Sequence, residues 1–586
     1  MRSYRKPIDS RQISHSFFNN KLSFVYLGLI IFSILICVQM FRWQVINNKK
    51  FTAQAEAIVQ SKYTITPRRG IIYTKDMTVL SIDEPGWFVY ISVGPYKNDK
   101  EMYDDQKEKL IDYLVPITGK SKEDLSKLLE GYPVYQPIIE YATENMREAL
   151  LEQGFTGIYF ERKNRRVYPN GKLASNIVGF IGKDENGNEV GNYGISGYYW
   201  NDLQGVTGYS SSERDIAGNV ILHEEYSPVN AKKGKDIVLT IETPVQHTIE
   251  EKLKDGVIQY GADSGTAILM DPNTGAIMAM ASYPTYDPNY YTEIIDQSYY
   301  KNKAVSDMYE FGSVNKVITI SASLEMNKLD TDYICNDTKG YYEMKEFGAK
   351  IYTFNKRASG RLDLAGIFRA SNNACVAEIS QLFTTDEYYQ VLIDFGFTKR
   401  IGIGLQDESY GTQLDPTKLT KLDIAMASFG QMFSATPLQI ISAISAVAND
   451  GERMQPYIVD TIISEEGEIK TEPIVASTPI SKATANTTAQ LLFDATIEMD
   501  SSNSHVNLIR TYKVAGKTGT AQIPKVNERG YEDGVTNTTF VGFWPYDQPE
   551  YIMLVWLEKP KNHTLAAYNV VPAWDSIFTA IQNDLN

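Results

Sequence analysis

The chain has 586 residues, is 43% hydrophobic and 12% aromatic, and carries a formal net charge of −15. That length and apolar content leave room for two to four domains with a large core and exclude a disordered chain. The acidic balance argues against a nucleic-acid binder, since phosphate contacts need a basic face. Three cysteines without a C-x-x-C pair argue against zinc or thioredoxin-like chemistry.

Residues 1–21 carry Arg2, Arg5, Lys6, Arg11 and Lys21 against one acid, Asp9. Leu22 to Phe41 follows without a charge, about the length that crosses a bilayer as a helix. Phe24 and Tyr26 mark one end, Phe41 and Trp43 the other. A buried core helix would not need those flanks. The basic residues before the span place the N-terminus in the cytoplasm and everything after it outside. The apolar run exceeds a usual signal core, and the small-x-small sequence Ala53-Gln54-Ala55 lies well beyond it. Cys37 follows Ile36, which does not suit a lipoprotein site. The reading is a cytoplasmic tail (1–21) and an uncleaved single-pass anchor (22–44).

Residues 45–226 are mixed. Ile65 to Tyr73, around Arg69-Gly70, reads as extended chain entering a turn, and Trp87 to Val93 as a strand. Lys107–Leu114 and Ser121–Leu129 read as helices, the second capped by Ser121 with Asp124 three residues on. The region holds no compact chemical motif and suits a spacer or recognition module.

From residue 232 to 586 the pattern is regular. Asp236 to Ile241 reads as a strand, and Thr243-Pro244 as the cap and first position of a helix running to about Lys254. Gly265–Asp271 and Ala276–Met280 are apolar strands joined through Asp271-Pro272-Asn273-Thr274-Gly275, a hairpin. Thr539–Phe543 and Tyr551–Leu557 read as strands, and a helix from about Ala573 closes the chain. Strands at both ends with helices between predict one α/β sheet domain built from distant parts of the sequence.

Within it, Gly312-Ser313-Val314-Asn315-Lys316 opens a helix on which positions i and i+3 share a face, so Ser313 and Lys316 lie side by side. A serine is a weak nucleophile until a base takes its proton, and a lysine is that base only if its surroundings lower its pKa. Ser-x-x-Lys also occurs at Ser3–Lys6 and Ser298–Lys301, so spacing alone does not choose. Ser371-Asn372-Asn373 is a Ser-x-Asn element; Ser313–Asn315 and Ser501–Asn503 share that spacing. Lys517-Thr518-Gly519 occurs once, and a P-loop reading of it fails because Thr511 stands where a glycine is required. The histidines His15, His223, His247, His505 and His563 form no metal pair or triad motif, so a histidine-dependent serine hydrolase is poorly supported and a lysine base gains interest. Cys335 and Cys375 could pair outside the cell, but the expectation is two buried thiols.

Ser-x-x-Lys, then Ser-x-Asn, then Lys-Thr-Gly in that order resembles the penicillin-recognising serine enzymes. Over nearly its whole length the chain resembles a class B penicillin-binding protein, through Arg69-Gly70-Ile71-Ile72, Arg166-Val167-Tyr168-Pro169, Gly179-Phe180-Ile181-Gly182, Asp271 to Gly275, Thr436-Pro437-Leu438-Gln439 and Phe540 to Phe543. The pattern selects Ser313, since Ser3 is cytoplasmic and Ser298 lies in a polar, aromatic loop. The resemblance implies a penicillin-binding/β-lactamase-like transpeptidase domain, an antiparallel sheet flanked by helices, after an elongated α+β membrane-proximal pedestal or dimerisation module. It departs at Thr74-Lys75-Asp76-Met77 and at Tyr198-Tyr199, both in that module, where its partner contacts are in doubt.

By the same resemblance Ser313 is the acylated nucleophile, Lys316 its base held neutral by the cationic neighbour Lys517, and Ser371 a proton relay. Asn373 binds the substrate backbone, Thr518 its carboxylate, and the N–H groups of Ser313 and Thr520, beside Gly519, form the oxyanion hole. The implied activity is D,D-transpeptidation of peptidoglycan stem peptides on lipid II-derived glycan, inhibited by β-lactams, with no cofactor or metal. A SEDS-type membrane glycosyltransferase and other wall-synthesis proteins are the expected partners. A D,D-carboxypeptidase, a β-lactam-hydrolysing or sensing protein, and a non-catalytic scaffold of the wall-synthesis complex share the constellation. No Glu-x-x-x-Asn-like element stands between Ser371 and Lys517 to activate water for fast β-lactam hydrolysis.

Overall fold

The computed structural model describes residues 12–47, 60–94, 97–214, 220–221, 229–499, 511–525 and 530–585. Ser3–Lys6, the charged residues up to Arg11, Ala53-Gln54-Ala55, His223, His505 and Ser501–Asn503 lie outside the described residues. The chain divides into two compact units, Met1–Thr66 with Thr207–Lys232, and Pro67–Val206 with Lys233–Asn586.

The first unit contains a helix over Gln12–Phe41, continued by a wider turn at Arg42–Ile46. The expected span is its C-terminal part. The helix starts ten residues earlier than expected because Gln12 to Lys21 contain neither Gly nor Pro to stop it. Phe24–Ile46 is apolar over 23 residues and unburied by protein, enough to cross a hydrocarbon core of about 30 Å. The strands Gln60–Ile65, Gly208–Arg214 and Val220–Ile221 form a small antiparallel sheet in that order.

In the second unit a seven-stranded sheet runs Gly467–Lys470, Val459–Ser464, Asp236–Leu239, Ile72–Tyr73, Val79–Ile91 and Gln136–Ala142, with Ile158–Val167 also paired to Val79–Ile91. The strand expected at Trp87–Val93 is therefore the second half of a longer one. Helices Lys97–Thr118 and Lys122–Leu128 pack Leu110, Ile111, Leu114 and Leu125 onto Val89 and Ile91. Ser121 caps the second by accepting the Asp124 N–H. The Arg69 and Arg166 motifs meet at one buried carboxylate: Asp83 lies 3.0 Å from Arg69 Nε and 3.3 Å from Arg166 Nη1.

A five-stranded antiparallel sheet carries the chemistry, in the order Ile277–Tyr283, Ser264–Met270, Tyr551–Glu558, Tyr531–Trp544, Ala515–Pro524. Its middle strands are apolar on both faces because helices cover both. One face meets the helices Thr243–Tyr260 and Val570–Leu585, the latter through Val570, Ala573, Trp574, Ile577, Phe578 and Ile581, a 3.6-residue stripe. The other face packs Ile268, Met270, Leu554 and Trp556 against Val317, Ile318 and the buried helix Pro437–Ala448. The helix expected to be capped by Thr243 instead starts at Thr243, with Glu242 in the cap position. The Thr243 hydroxyl bonds Asp76 and Thr74, at 2.9 and 3.1 Å. It runs on to Tyr260, where Gly261 in the left-handed region ends it.

Cys335 and Cys375 form a disulfide across 40 residues, which corrects the expectation of two thiols. The pairing joins a short strand, Cys335–Asp337, to the helix Asn373–Ser380, segments whose proximity depends on long-range packing.

Candidate active site

Ser313 lies in a single tight turn, Gly312–Val314, that feeds the helix Asn315–Glu325. Gly312 has φ +59°, and a Cβ there would sit 2.8 Å from the Thr520 carbonyl oxygen, so the nucleophile turn and the Lys517 strand meet at backbone distance. The Gly312 N–H donates to the Gly430 carbonyl at 3.0 Å. Asn315 fixes the helix start from below, its amide donating to the Tyr388 hydroxyl at 3.1 Å and to the Ala427 carbonyl.

One helical turn on, Lys316 is fully buried. Its Nζ stands 2.9 Å from Ser313 Oγ, 3.0 Å from Ser371 Oγ, 2.5 Å from the Ser371 carbonyl oxygen and 2.7 Å from Asn373 Oδ1. Burial, and then the charge of Lys517, holds this amine well below the ordinary lysine range. The sequence expectation named Lys517 alone as the cause; removal from water is the larger one.

Ser371 ends the helix Leu364–Ala370 in the left-handed region, φ +49°, and the next helix begins at Asn373. This reversal lets Ser371 and Asn373 face the same amine. Asn372 between them is buried: it accepts the Cys375 N–H at 2.9 Å and donates to Asp337 Oδ2 at 2.9 Å and Ser359 Oγ at 3.0 Å.

Lys517 reaches the same hydroxyl from the sheet, with Nζ 3.2 Å from Ser371 Oγ, 3.0 Å from the Thr518 carbonyl and 3.3 Å from Thr518 Oγ1. Burial lowers its pKa to about 7. Gly519 admits the close approach: a Cβ there would lie 2.4 Å from the Phe311 carbonyl oxygen. Thr520 directs its side chain away, its hydroxyl accepting the Ala566 N–H at 3.2 Å, while its backbone adjoins Gly312. The structure thus brings Ser313, Lys316, Ser371, Asn373, Lys517 and Thr518 into one connected cluster, with Gly519 and Thr520 against the nucleophile turn. Ser298, on the other described Ser-x-x-Lys match, lies in a separate turn, Gln297–Tyr300.

Sequence reasoning passed over two residues beside the nucleophile. Tyr309 stacks on Trp556, centroids 4.4 Å apart, and shares a 2.8 Å hydrogen bond with Thr539. Glu310, 7% exposed, accepts the Met432 N–H at 2.9 Å, and burial pushes its carboxyl to about 7. A charged residue directly before an aromatic-Gly-Ser turn was the only signal for it.

Residues 265–577 match the family described as "Penicillin binding protein transpeptidase domain", and residues 64–239 match "Penicillin-binding Protein dimerisation domain". The chain is 28% identical over 568 residues to Stage V sporulation protein D of Bacillus subtilis, spanning 94% of this chain and 83% of the relative. It is 25% identical over 537 residues to the peptidoglycan D,D-transpeptidase FtsI of Buchnera aphidicola, spanning 91% and 89%. Among solved structures it resembles Penicillin Binding Protein 2X from Streptococcus thermophilus, with a TM-score of 0.74 at 23% identity over 89% of this chain and 80% of that one, a likeness of fold.

Proposed function

Because this chain belongs to the penicillin-binding protein transpeptidase family, we propose that it is a serine D,D-transpeptidase that cross-links peptidoglycan stem peptides and is inhibited by β-lactams. The observation that carries this reading is the buried amine of Lys316 placed between the Ser313 and Ser371 hydroxyls.

Burial and the charge of Lys517 hold the Lys316 amine well below the ordinary lysine range, which suits it to take the proton of the Ser313 hydroxyl 2.9 Å away. Ser313 Oγ attacks the carbonyl carbon of the D-Ala-D-Ala bond, and its proton passes to Lys316. The ammonium formed there meets two fixed oxygen acceptors, the Ser371 carbonyl and Asn373 Oδ1. The backbone N–H groups of Ser313 and Thr520 receive the oxyanion. As the tetrahedral adduct collapses, the C–N bond breaks, and Ser371 passes a proton from Lys316 to the departing D-Ala amine. Lys517 supplies positive field at that hydroxyl, and Thr518 holds the substrate carboxylate. The acyl-enzyme ester is then attacked by the amine of a second stem peptide. A C–N bond forms, the ester C–O bond breaks, and the amine's proton returns through Lys316 to Ser313. General base and acid steps of this kind contribute roughly 10²–10⁴-fold each.

We extend the reading to the chain's organisation: a tail at 1–21, an anchor at 22–44, a pedestal or dimerisation module at 45–226 and a catalytic domain at 232–586. The apolar helix anchors the chain in a membrane, with the N-terminus cytoplasmic and the catalytic domain outside. A SEDS-type glycosyltransferase polymerises the glycan that this enzyme cross-links. Labelled penicillin acylates the protein, and Ser313→Ala abolishes the label; a mutant that labels undiminished overturns the assignment of the nucleophile.

A further inference from the structure

Between the nucleophile and the Ser-x-Asn element the chain builds a hairpin, Tyr341–Met344 paired with Ala349–Tyr352. The period of two divides its side chains. Tyr342, Met344, Ala349 and Ile351 turn inward, where Met344 and Ile351 pack on Ala377, Ala425 and Phe429. Tyr341, Glu343, Lys350 and Tyr352 face outward. From residue 339 to 361 the chain holds six cations, Lys339, Lys345, Lys350, Lys356, Arg357 and Arg361, against two acids, Glu343 and Glu346. That is a local excess of four positive charges on a protein whose total is −15, carried by the flanking Lys339, Lys356, Arg357 and Arg361, since Lys345 and Lys350 balance Glu343 and Glu346 within the hairpin itself.

These cations are interleaved with rings. Lys350 Nζ stands 4.6 Å from the Tyr341 centroid and 3.7 Å from Glu343 Oε1, Lys356 5.4 Å from the Tyr352 centroid and Lys339 5.9 Å from that of Tyr341. Tyr341 and Tyr352 face each other across the strands at 5.5 Å. Phe354, at the hairpin's end, is 69% exposed, and Tyr352 is 43% exposed. Ammonium groups held over rings lose less freedom when they bind than free ones do. The hairpin also reaches the catalytic cluster: the Asn373 amide donates to the Tyr352 carbonyl at 3.3 Å, while its Oδ1 contacts Lys316. It meets the site through Asn373, not through the Lys517 strand.

We propose that this outward aromatic face, with Lys350 on it and the cations Lys339, Lys356, Arg357 and Arg361 beside it, is the docking surface for the acceptor strand, an anionic glycopeptide bearing free carboxylates. The inference rests on the transpeptidase reading. A donor peptide is gripped within the catalytic cluster, but the second strand must be held with its amine beside the acyl-enzyme, and a strand bearing free carboxylates arrives as a polyanion. The hairpin touches the Ser-x-Asn element, and the cations that flank it make a positive surface on an acidic protein, so charge complementarity selects the occupant.

The test uses the full-length protein with Lys350→Glu/Lys356→Glu and, separately, Phe354→Ala. Acylation by labelled penicillin, which needs no acceptor, stays at the wild-type rate. Transfer to soluble, uncross-linked glycan-peptide strands falls about tenfold for the double variant, and released hydrolysis product rises correspondingly. Wild-type transfer weakens with added salt, and strands whose carboxylates have been amidated bind the wild type more weakly. If the double variant is unstable, Lys350→Gln/Lys356→Gln repeats the measurement without introducing negative charge. Unchanged transfer in the folded variants, or equal binding of amidated strands, overturns the proposal. Binding of anionic phospholipid vesicles that is lost in the variants while strand transfer survives also overturns it, by assigning the face to the membrane. A wild type that penicillin does not acylate fails the transpeptidase reading itself, a separate result.

Discussion

Lys316 and Lys517 share one hydrogen-bond partner, the Ser371 hydroxyl, at 3.0 and 3.2 Å. Two amines that close cannot both carry a proton cheaply in a buried site, so the protonation of one sets that of the other. The pH dependence of acylation follows. Activity rises with pH as Lys316 sheds its proton and falls as Lys517, whose pKa is about 7, loses the positive charge it supplies at the Ser371 hydroxyl. The bell in kcat/KM therefore has its alkaline limb near neutrality. In Lys517→Arg that limb moves up by more than a unit, because a guanidinium stays charged. An alkaline limb unmoved by the arginine assigns it to another group.

The same lysines affect stability. Lys517 titrates near 7 when folded and near 10.5 when exposed, so the unfolded chain binds more protons between those values. Stability rises with pH across that window and is flat with respect to this group below it. Thermal unfolding at pH 7 and pH 9 measures the rise, which shrinks in Lys517→Met.

Gly519→Ala tests the backbone approach between the Lys517 strand and the nucleophile turn. Its Cβ would overlap the Phe311 carbonyl oxygen, a backbone atom with no room to move. Overpacking of this kind costs about 1–3 kcal/mol. The second-order rate of penicillin acylation drops more than the stability, because the displaced strand carries Lys517 and Thr518. A variant acylated at the wild-type rate rejects the contact as a determinant of the site.

Loss of the disulfide by Cys335→Ser/Cys375→Ser removes a cross-link over 40 residues, worth roughly 2–4 kcal/mol. The effect reaches the active site, because Cys375 lies two residues after Asn373 and accounts for one of the hydrogen bonds of Asn372. Slower acylation together with a lower Tm is the expected pair of results.

Asp83→Asn, in the region that matches the dimerisation-domain family, leaves the buried guanidinium groups of Arg69 and Arg166 without their shared carboxylate. Removing one partner of a buried ion pair costs about 3–5 kcal/mol. The measurement is Tm, with acylation per folded molecule unchanged; a Tm within a degree of wild type refutes the account of Asp83 as the charge that holds these two motifs together.

What could be read from residues alone follows the range of the interaction. Ser313 and Lys316 are neighbours by helical geometry, so spacing places them together, while choosing them among three such matches takes the resemblance. The apolar strands and the C-terminal helix announced themselves by periodicity. The helix at Lys97–Thr118 is legible only over Lys107–Leu114 because its first turns, Lys97 to Gln106, are polar except for Met102 and Tyr103. Ser371, Asn373 and Lys517 were placed by resemblance, since no local rule brings residues 55 to 201 positions away onto one amine. Glu310 and the disulfide escaped because burial by Met432, and the meeting of Cys335 with Cys375, exist only once distant segments pack.

The five-stranded sheet places strands 264–270 and 277–283 beside strands 551–558, 531–544 and 515–524. The strand holding residues 264–270 keeps one edge unpaired until residues 551–558 arrive, although the nucleophile and its base are synthesised between them. A growing chain thus possesses Ser313 and Lys316 for some two hundred residues before it possesses Lys517, and cannot complete the sheet on which the latter stands. The catalytic centre is the last thing this polypeptide acquires, so a chain cut short anywhere before its final strands is inert toward its substrate rather than half active. Its waiting strand edge is the natural target of holding factors during synthesis.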